Sequence, residues 1–320
     1  GLVRLSTGFG PMEQLTMMCC PRRLCASGLF VVLAALLAVP VASAQWVEAP
    51  GTGWVQVQVS HQQTEDGFDE DGNVVPLVQT PGDEGESIIT TARFTGALGL
   101  VRGIDAWIDV PLHRQEFNST NPVTEDLRNT GFGDSRVYLR VGPSLFGVDA
   151  LPVAMALRGG AKFSSGNFSV DAETISLSEG QRDWEVLLEV GKGLHPWPVY
   201  VQGWAGYRWR ERNEEIGRDP GNEGLFYFAA GGSVDRFQWK LAVDGLLGEP
   251  SARQAAGARL EVSPRELVQV IPTVGWQLGP GTLQAKARLP VHGQSTRANQ
   301  LPAAPTFVLG YFLSWDRALW

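Results

Sequence analysis

Apolar side chains recur at every second position in one stretch after another of this chain, and that period leaves little choice of secondary structure. Val55, Val57 and Val59 alternate with Gln56, Gln58 and Ser60, and Ile104, Ala106, Ile108 and Val110 alternate with Asp105, Trp107 and Asp109. The same beat runs through Val137, Leu139 and Val141, through Trp184, Val186, Leu188 and Val190, and through Leu283, Ala285, Ala287 and Leu289. Successive side chains of a strand point to opposite faces, so each stretch reads as a strand with one apolar face. No helical stripe of comparable length follows residue 44. The 38 Gly and 20 Pro among 320 residues argue against long helices as well.

The connections carry the next constraint. Short turns at Val101-Arg102-Gly103, Pro143 to Ala150, Leu194 to Pro198, Val234-Asp235-Arg236 and Gly279-Pro280-Gly281 alternate with long polar connections. The long ones fall near 63–86, 115–130, 164–181, 211–223, 249–264 and 293–304. Short turns at one end and long loops at the other are the layout of a transmembrane antiparallel up-and-down β-barrel. Pairing them gives an all-β fold of about twelve strands, with both ends of the domain on the short-turn side. The count is least certain near 249–278, where Ala258 to Val262 also reads as a strand of its own. A soluble β-sandwich alternates equally well. Its dry core, however, would not accept charged residues on strand after strand. The apolar members include aromatics such as Trp54, Phe94, Trp184, Trp209, Phe228, Trp239, Trp276, Phe307 and Trp315, several of them near strand ends, where barrels place their interfacial girdles.

One apolar run stands apart. Arg22 and Arg23 precede an uncharged stretch from Leu29 to Val39, and Ala42-Ser43-Ala44 follows Pro40. A basic stretch, a short apolar core and an A-x-A site make a secretory signal peptide. We therefore expect residues 1–44 to be a leader with an upstream extension, cleaved after Ala44, and residues 45–320 to be the barrel. Cys19, Cys20 and Cys25 all precede that site, so the mature chain would have no cysteine, no disulfide and no thiol chemistry. The expected location is a Gram-negative outer membrane, with outer-membrane lipid and the barrel-assembly machinery as partners. Phe307, Leu309, Tyr311, Leu313 and Trp315 supply a terminal apolar alternation, which Trp320 follows after a short gap. The net charge of −8 argues against a nucleic-acid partner, since phosphate binding needs a basic face.

If the apolar members face lipid, the others line the lumen. On this reading Asp105 and Asp109 stand one strand from Arg136 and Arg140. Arg158 and Lys162 neighbour a strand carrying Asp183, Glu185 and Glu189, which neighbours Arg208 and Arg210 in turn. Lys240 and Asp244 share a further strand, and Lys286, Arg288 and His292 share another. Two roles stay open for these charges: ladders of opposite sign that brace a narrow barrel, or a transverse field that orients a polar solute in a pore. The functional expectation is passive passage of small solutes, with a structural or surface-binding barrel of little conductance as the alternative. About twelve strands is few for an open aqueous pore. The acidic loop Asp69-Glu70-Asp71-Gly72-Asn73 lacks the ligand spacing of a calcium loop, so no metal is assigned. No catalytic motif is present, His113 is expected to point inward, and no cofactor is expected.

A resemblance joins two of these segments. Gly67-Phe68-Asp69-Glu70-Asp71-Gly72-Asn73-Val74-Val75-Pro76-Leu77, followed later by Thr130-Gly131-Phe132-Gly133-Asp134, resembles the outer-membrane barrels of the phenol-degradation (meta-pathway) family. In that family an aspartate-glycine loop follows the first strand and a T-G-x-G-D element opens a strand after the second long loop. The likeness runs loosely from Trp54 to Trp315 and implies a transporter-like barrel, with aromatic solutes suggested by the family name. Gly131, Gly133 and Asp134 are the matched positions. The glycines would allow a bulged strand start and Asp134 would cap it.

Overall fold

The structure is a computed structural model that describes residues 47–80, 83–121, 125–169, 174–255, 258–296 and 300–316, with the side chains of 78–80, 83, 253–255 and 258–262 left out. The leader expected at 1–44, its cleavage site and Trp320 lie outside the described residues.

Twelve strands form the wall: β1 Gly53–Thr64, β2 Asp83–Val101, β3 Ile104–Ser119, β4 Leu127–Phe132 continued by Ser135–Val141, β5 Ala154–Phe163 and β6 Asp183–Gly193. They continue as β7 Val199–Arg210, β8 Glu223–Val234, β9 Phe237–Gly248, β10 Glu266–Leu278, β11 Gly281–Gln294 and β12 Thr306–Trp315. Each pairs antiparallel with its neighbours in the chain, and β12 returns to β1 in register from Gly53↔Trp315 to His61↔Phe307. The sheet therefore has no free edge, which is what a strand protein needs in a bilayer, where an unpaired backbone group finds no water. The expected fold and strand count hold.

The side-chain period sets the two faces. Val57, Val59, Leu139, Leu157, Leu188, Trp209, Phe228, Leu241, Trp276, Phe307 and Leu309 are all exposed on the outer wall. Between them the inward positions are largely buried, Asp105 and Asp183 completely so. Trp54 departs from the expected girdle. It shares its face with Gln56 and Gln58 and packs edge-on against Trp107 inside the barrel, with ring centroids 4.9 Å apart. His292 departs too. Val268 pairs with His292 and Gln269 with Pro290, so Val291 is an extra residue in β11. This bulge turns His292 off the lumen face, half exposed, 3.5 Å from Glu266.

Most connections sort as expected, short at one end and long at the other, but the β3–β4 connection (120–126) is shorter than the β4–β5 connection (142–153) at the opposite end, because β3 and β4 extend into the stretch expected to be loop. Ala258–Val262 is not a wall strand; it pairs with Ser251–Ala255 in a hairpin within the β9–β10 connection. The first long loop forms a second hairpin, Asp66–Phe68 with Val74–Pro76, closed by Asp69 accepting from the backbone N–H groups of Asp71 and Asn73. Desolvation pushes the Asp69 carboxyl up, but the hydrogen bonds from Asn73, Asp71 and Gly72 together hold it below its ordinary range. It leans on the β11–β12 connection, where Phe68 N–H donates to Leu301 O at 2.9 Å. At the opposite end residues 47–52 run along the mouth, with Val47 buried and Gly51 N–H donating to Gly99 O.

Candidate functional site: the barrel lumen

The inward charges do not line an open ring; most of them meet one another. Near the short-turn end, Arg140 holds Asp105 with two hydrogen bonds of 2.9 and 2.5 Å and reaches past β5 to Glu189 at 3.3 Å. Arg158 joins the same carboxylate at 3.0 Å. Both guanidinium groups lie over the Trp107 ring, at 4.5 and 5.0 Å, so the cluster is stacked as well as paired. Glu48 in the incoming segment donates its N–H to Asp105 at 2.8 Å.

Nearer the long-loop end, Glu185 accepts from Tyr138 at 2.7 Å and from Arg208 at 2.8 Å, with Arg136 at 3.7 Å. Glu223 binds Arg208, Arg210 and Arg265. Lys162 is 1% exposed and sits among Asp183 at 2.7 Å, Asp134 at 3.3 Å and Glu179. Some of these contacts, Arg140–Glu189 and Tyr138–Glu185 among them, skip a strand, because the side chains share the inner face. Desolvation makes each pair costly to form, and removing one member leaves a buried charge that costs more.

The T-G-F-G-D segment lies at the centre of the second cluster. Asp109 pairs with Arg136 in one register and Leu112 with Phe132 in another, so β4 carries an extra residue at Gly133-Asp134. A Cβ on Gly133 would lie 2.3 Å from the His113 ring, so only glycine permits the bulge to close on β3. The bulge aims Asp134 inward, where it accepts from Ser178 Oγ and from the Glu179 backbone N–H at 3.1 Å. Asp134 thus fastens the 164–182 connection inside the mouth rather than capping a strand.

Glu179 is the pin of that connection. Burial pushes its carboxyl up, but the charges of Arg265, Arg210 and Lys162 together hold it well below the usual carboxylate range. A depressed pKa means that the contact contributes stability above the unfolded value of about 4.3 and loses it only as pH falls through the lower folded value. Its side chain is 35% exposed, so water screens the contact and Glu179→Gln is expected to cost only about 1–2 kcal/mol. Urea unfolding of wild type and variant should differ by a constant amount from pH 7 to 5 and converge only well below that range.

The twelve lumen residues named from the sequence therefore divide. Asp105, Arg140, Glu189 and Arg158 make the inner cluster, and Lys162, Glu185, Arg208, Arg210 and Arg136 the outer one. Asp109 pairs with Arg93 at 2.7 Å. Lys286 and Arg288 have no ion pair among the described residues and lie across the barrel from the clusters. The alternation did not bring out Glu179 and Arg265, which come from loops without a period, nor the part that Glu223 plays. Arg93 was legible, since it alternates with Ala92 and Phe94.

Three cavities remain among the described residues, one of them wholly on the other side. One of about 190 Å³ is lined by Gln58, Ser60, Arg93, Gln269 and Arg288. Another of about 420 Å³ at the long-loop mouth shares Arg93 and adds His113, Arg136 and Arg210. A third of about 460 Å³ opens by the short turns between Gln238, Lys240, Thr273 and Gln284.

A closed twelve-stranded barrel with an apolar outer wall and a polar interior has the architecture of an outer-membrane channel. Among solved structures the chain is similar to the COG4313 outer membrane channel from Pseudomonas putida F1, at 15% identity and a TM-score of 0.63, covering 86% of this chain and 100% of that one. It also matches a TodX monoaromatic hydrocarbon channel variant at 9% identity and TM-score 0.42, covering 84% and 91%. A Pseudomonas aeruginosa FadL homologue matches at 8% identity and TM-score 0.35, covering 87% and 99%. No protein-family model and no curated protein matches the chain. The likeness to outer-membrane channel barrels is one of fold, and the first of these structures carries it.

Proposed function

We propose that the protein is an outer-membrane channel through which small solutes pass passively along one side of the lumen. The observation that carries this reading is the asymmetry of the interior. Between β3 and β8 the charges pair with one another. From β9 around to β2 the inward face carries Gln56, Gln58, Gln269, Gln284 and unpaired cations beside the cavities of about 190 and 460 Å³. In this reading Asp105, Arg140, Glu189, Arg158, Lys162, Glu185, Arg208 and Arg210 form a buttress, and Asp109, Arg136, Lys286 and Arg288 border the path. The leader would deliver the chain for export, the assembly machinery would insert it, and the outer wall would meet outer-membrane lipid.

The absence of cysteine after residue 25 makes the path directly testable. In planar bilayers the mature protein should conduct. A negatively charged thiol reagent should reduce the current through Gln58→Cys or Gln284→Cys and leave Leu187→Cys, buried in the packed half, unchanged. Modification that acts equally at all three positions, or a heat-modifiable barrel that inserts and carries no current, would sink the reading.

A further inference from the structure

Every inward arginine or lysine from β2 to β7 that belongs to the clusters has a carboxylate within ion-pair distance: Arg93, Arg136, Arg140, Arg158, Lys162, Arg208 and Arg210. Lys240, Lys286 and Arg288, on β9 and β11, make no ion pair and no side-chain hydrogen bond to any described residue. The register puts two of them in one row. Lys240 is directly opposite Thr273, and Thr273 is directly opposite Lys286, across three adjacent strands. Two strand spacings separate the lysine backbones by about 9–10 Å, a gap that two long side chains can close over one small ligand.

The centre of the row is unsatisfied. The Thr273 hydroxyl is buried and has no hydrogen-bond partner among the described residues. Arg288, Lys240 and Arg93 of like sign act on Lys286 more strongly than Asp244 of opposite sign. Holding like charges together out of bulk water is unfavourable, and directly facing strands ordinarily avoid it. Elsewhere in this lumen carboxylates relieve the same problem. Here the position suits a ligand. Gln284 lines the cavity at the short turns, Arg288 lines the cavity of about 190 Å³, and Lys286 stands between them on the same face of β11.

We propose that Lys240, Thr273 and Lys286 bind small organic carboxylates on the lumen face of β9, β10 and β11. One carboxylate supplies two acceptor oxygens for two ammonium groups and a hydroxyl, and its charge offsets the local excess of cations. Asp244 limits that excess, so the anion is held weakly enough to leave, as conduction requires. The proposal names a solute class for the channel described above and rests on that reading for passage, though not for binding.

Benzoate titrated into the folded protein in neutral detergent, followed by calorimetry, tests it, with benzamide as the uncharged counterpart of the same shape. Saturable benzoate binding that weakens with salt is expected, with none for benzamide. Lys240→Gln/Lys286→Gln should weaken it by about tenfold or more. Thr273→Val, which alters no charge, should weaken it less and serves if the double variant does not show the heat-modifiable folded band. No saturable benzoate binding to the wild type, equal binding of benzamide, or unchanged affinity in the double and Thr273 variants would overturn the proposal. Benzoate binding without conductance would sink the channel reading and leave the row standing. Conductance without benzoate binding would sink the row alone.

Discussion

Lys162→Met should lower the unfolding free energy of the barrel by about 3–5 kcal/mol, the range for removing one partner of a buried ion pair. Lys162 is 1% exposed and its partner Asp183 is completely buried, so no solvent screening softens the loss. Methionine keeps the bulk of the stem, which confines the change to the charge. Arg210 remains 3.6 Å from Asp183 and does not replace a contact of 2.7 Å. Urea titration of the refolded protein, followed by loss of the heat-modifiable band, measures the effect. Adding Asp183→Asn to the variant should recover part of the loss, because a neutral amide is cheaper to bury than a lone carboxylate. A loss below about 1 kcal/mol, the range of surface pairs, would show that water reaches this cluster.

Arg140→Met should cost a comparable amount, toward about 3 kcal/mol, at the lower end of the same range. The guanidinium is 5% exposed and serves Asp105, Glu189 and the face of Trp107, while Arg158 stays with Glu189. Asp105 would keep only the N–H of Glu48. The same titration should show the loss, and protease should cut more readily in residues 47–52, whose hold on Asp105 is then strained by an uncompensated charge. Unaltered protection with unaltered stability would mean that this carboxylate is held by the backbone alone.

The wall was legible in the sequence because a pleated strand has two faces and nothing else. Once Val57 and Val59 point to lipid, Gln58 must point inward, and loop lengths then give direction. Trp54 follows that parity, and assigning it by residue type to the outer girdle placed it on the wrong face. His292 is lost to parity by a single inserted residue, Val291, which apolar alternation does not reveal. The clusters were half legible. Alternation put Asp105, Arg140 and Glu189 inside but could not say that Arg140 reaches across β5 to Glu189, because the distance depends on barrel radius. Glu179 and Arg265 lie in connections, where no period fixes the direction of a side chain. The T-G-F-G-D segment was visible as a motif, yet its role required knowing where residues 164–182 return.

The two halves of the interior also bear on how such a ring can close. Among the described residues every ion pair of the lumen joins elements between β2 and the start of β10, and none spans the junction of β12 with β1. Across that junction the inward partners are amides and apolar groups, as in the 2.8 Å hydrogen bond from Gln56 to Gln284. An open sheet can therefore neutralise its charges before its two ends meet, without the long closure that joins β12 to β1. The nine register pairs from Gly53↔Trp315 to His61↔Phe307 can then form last without separating a single salt bridge.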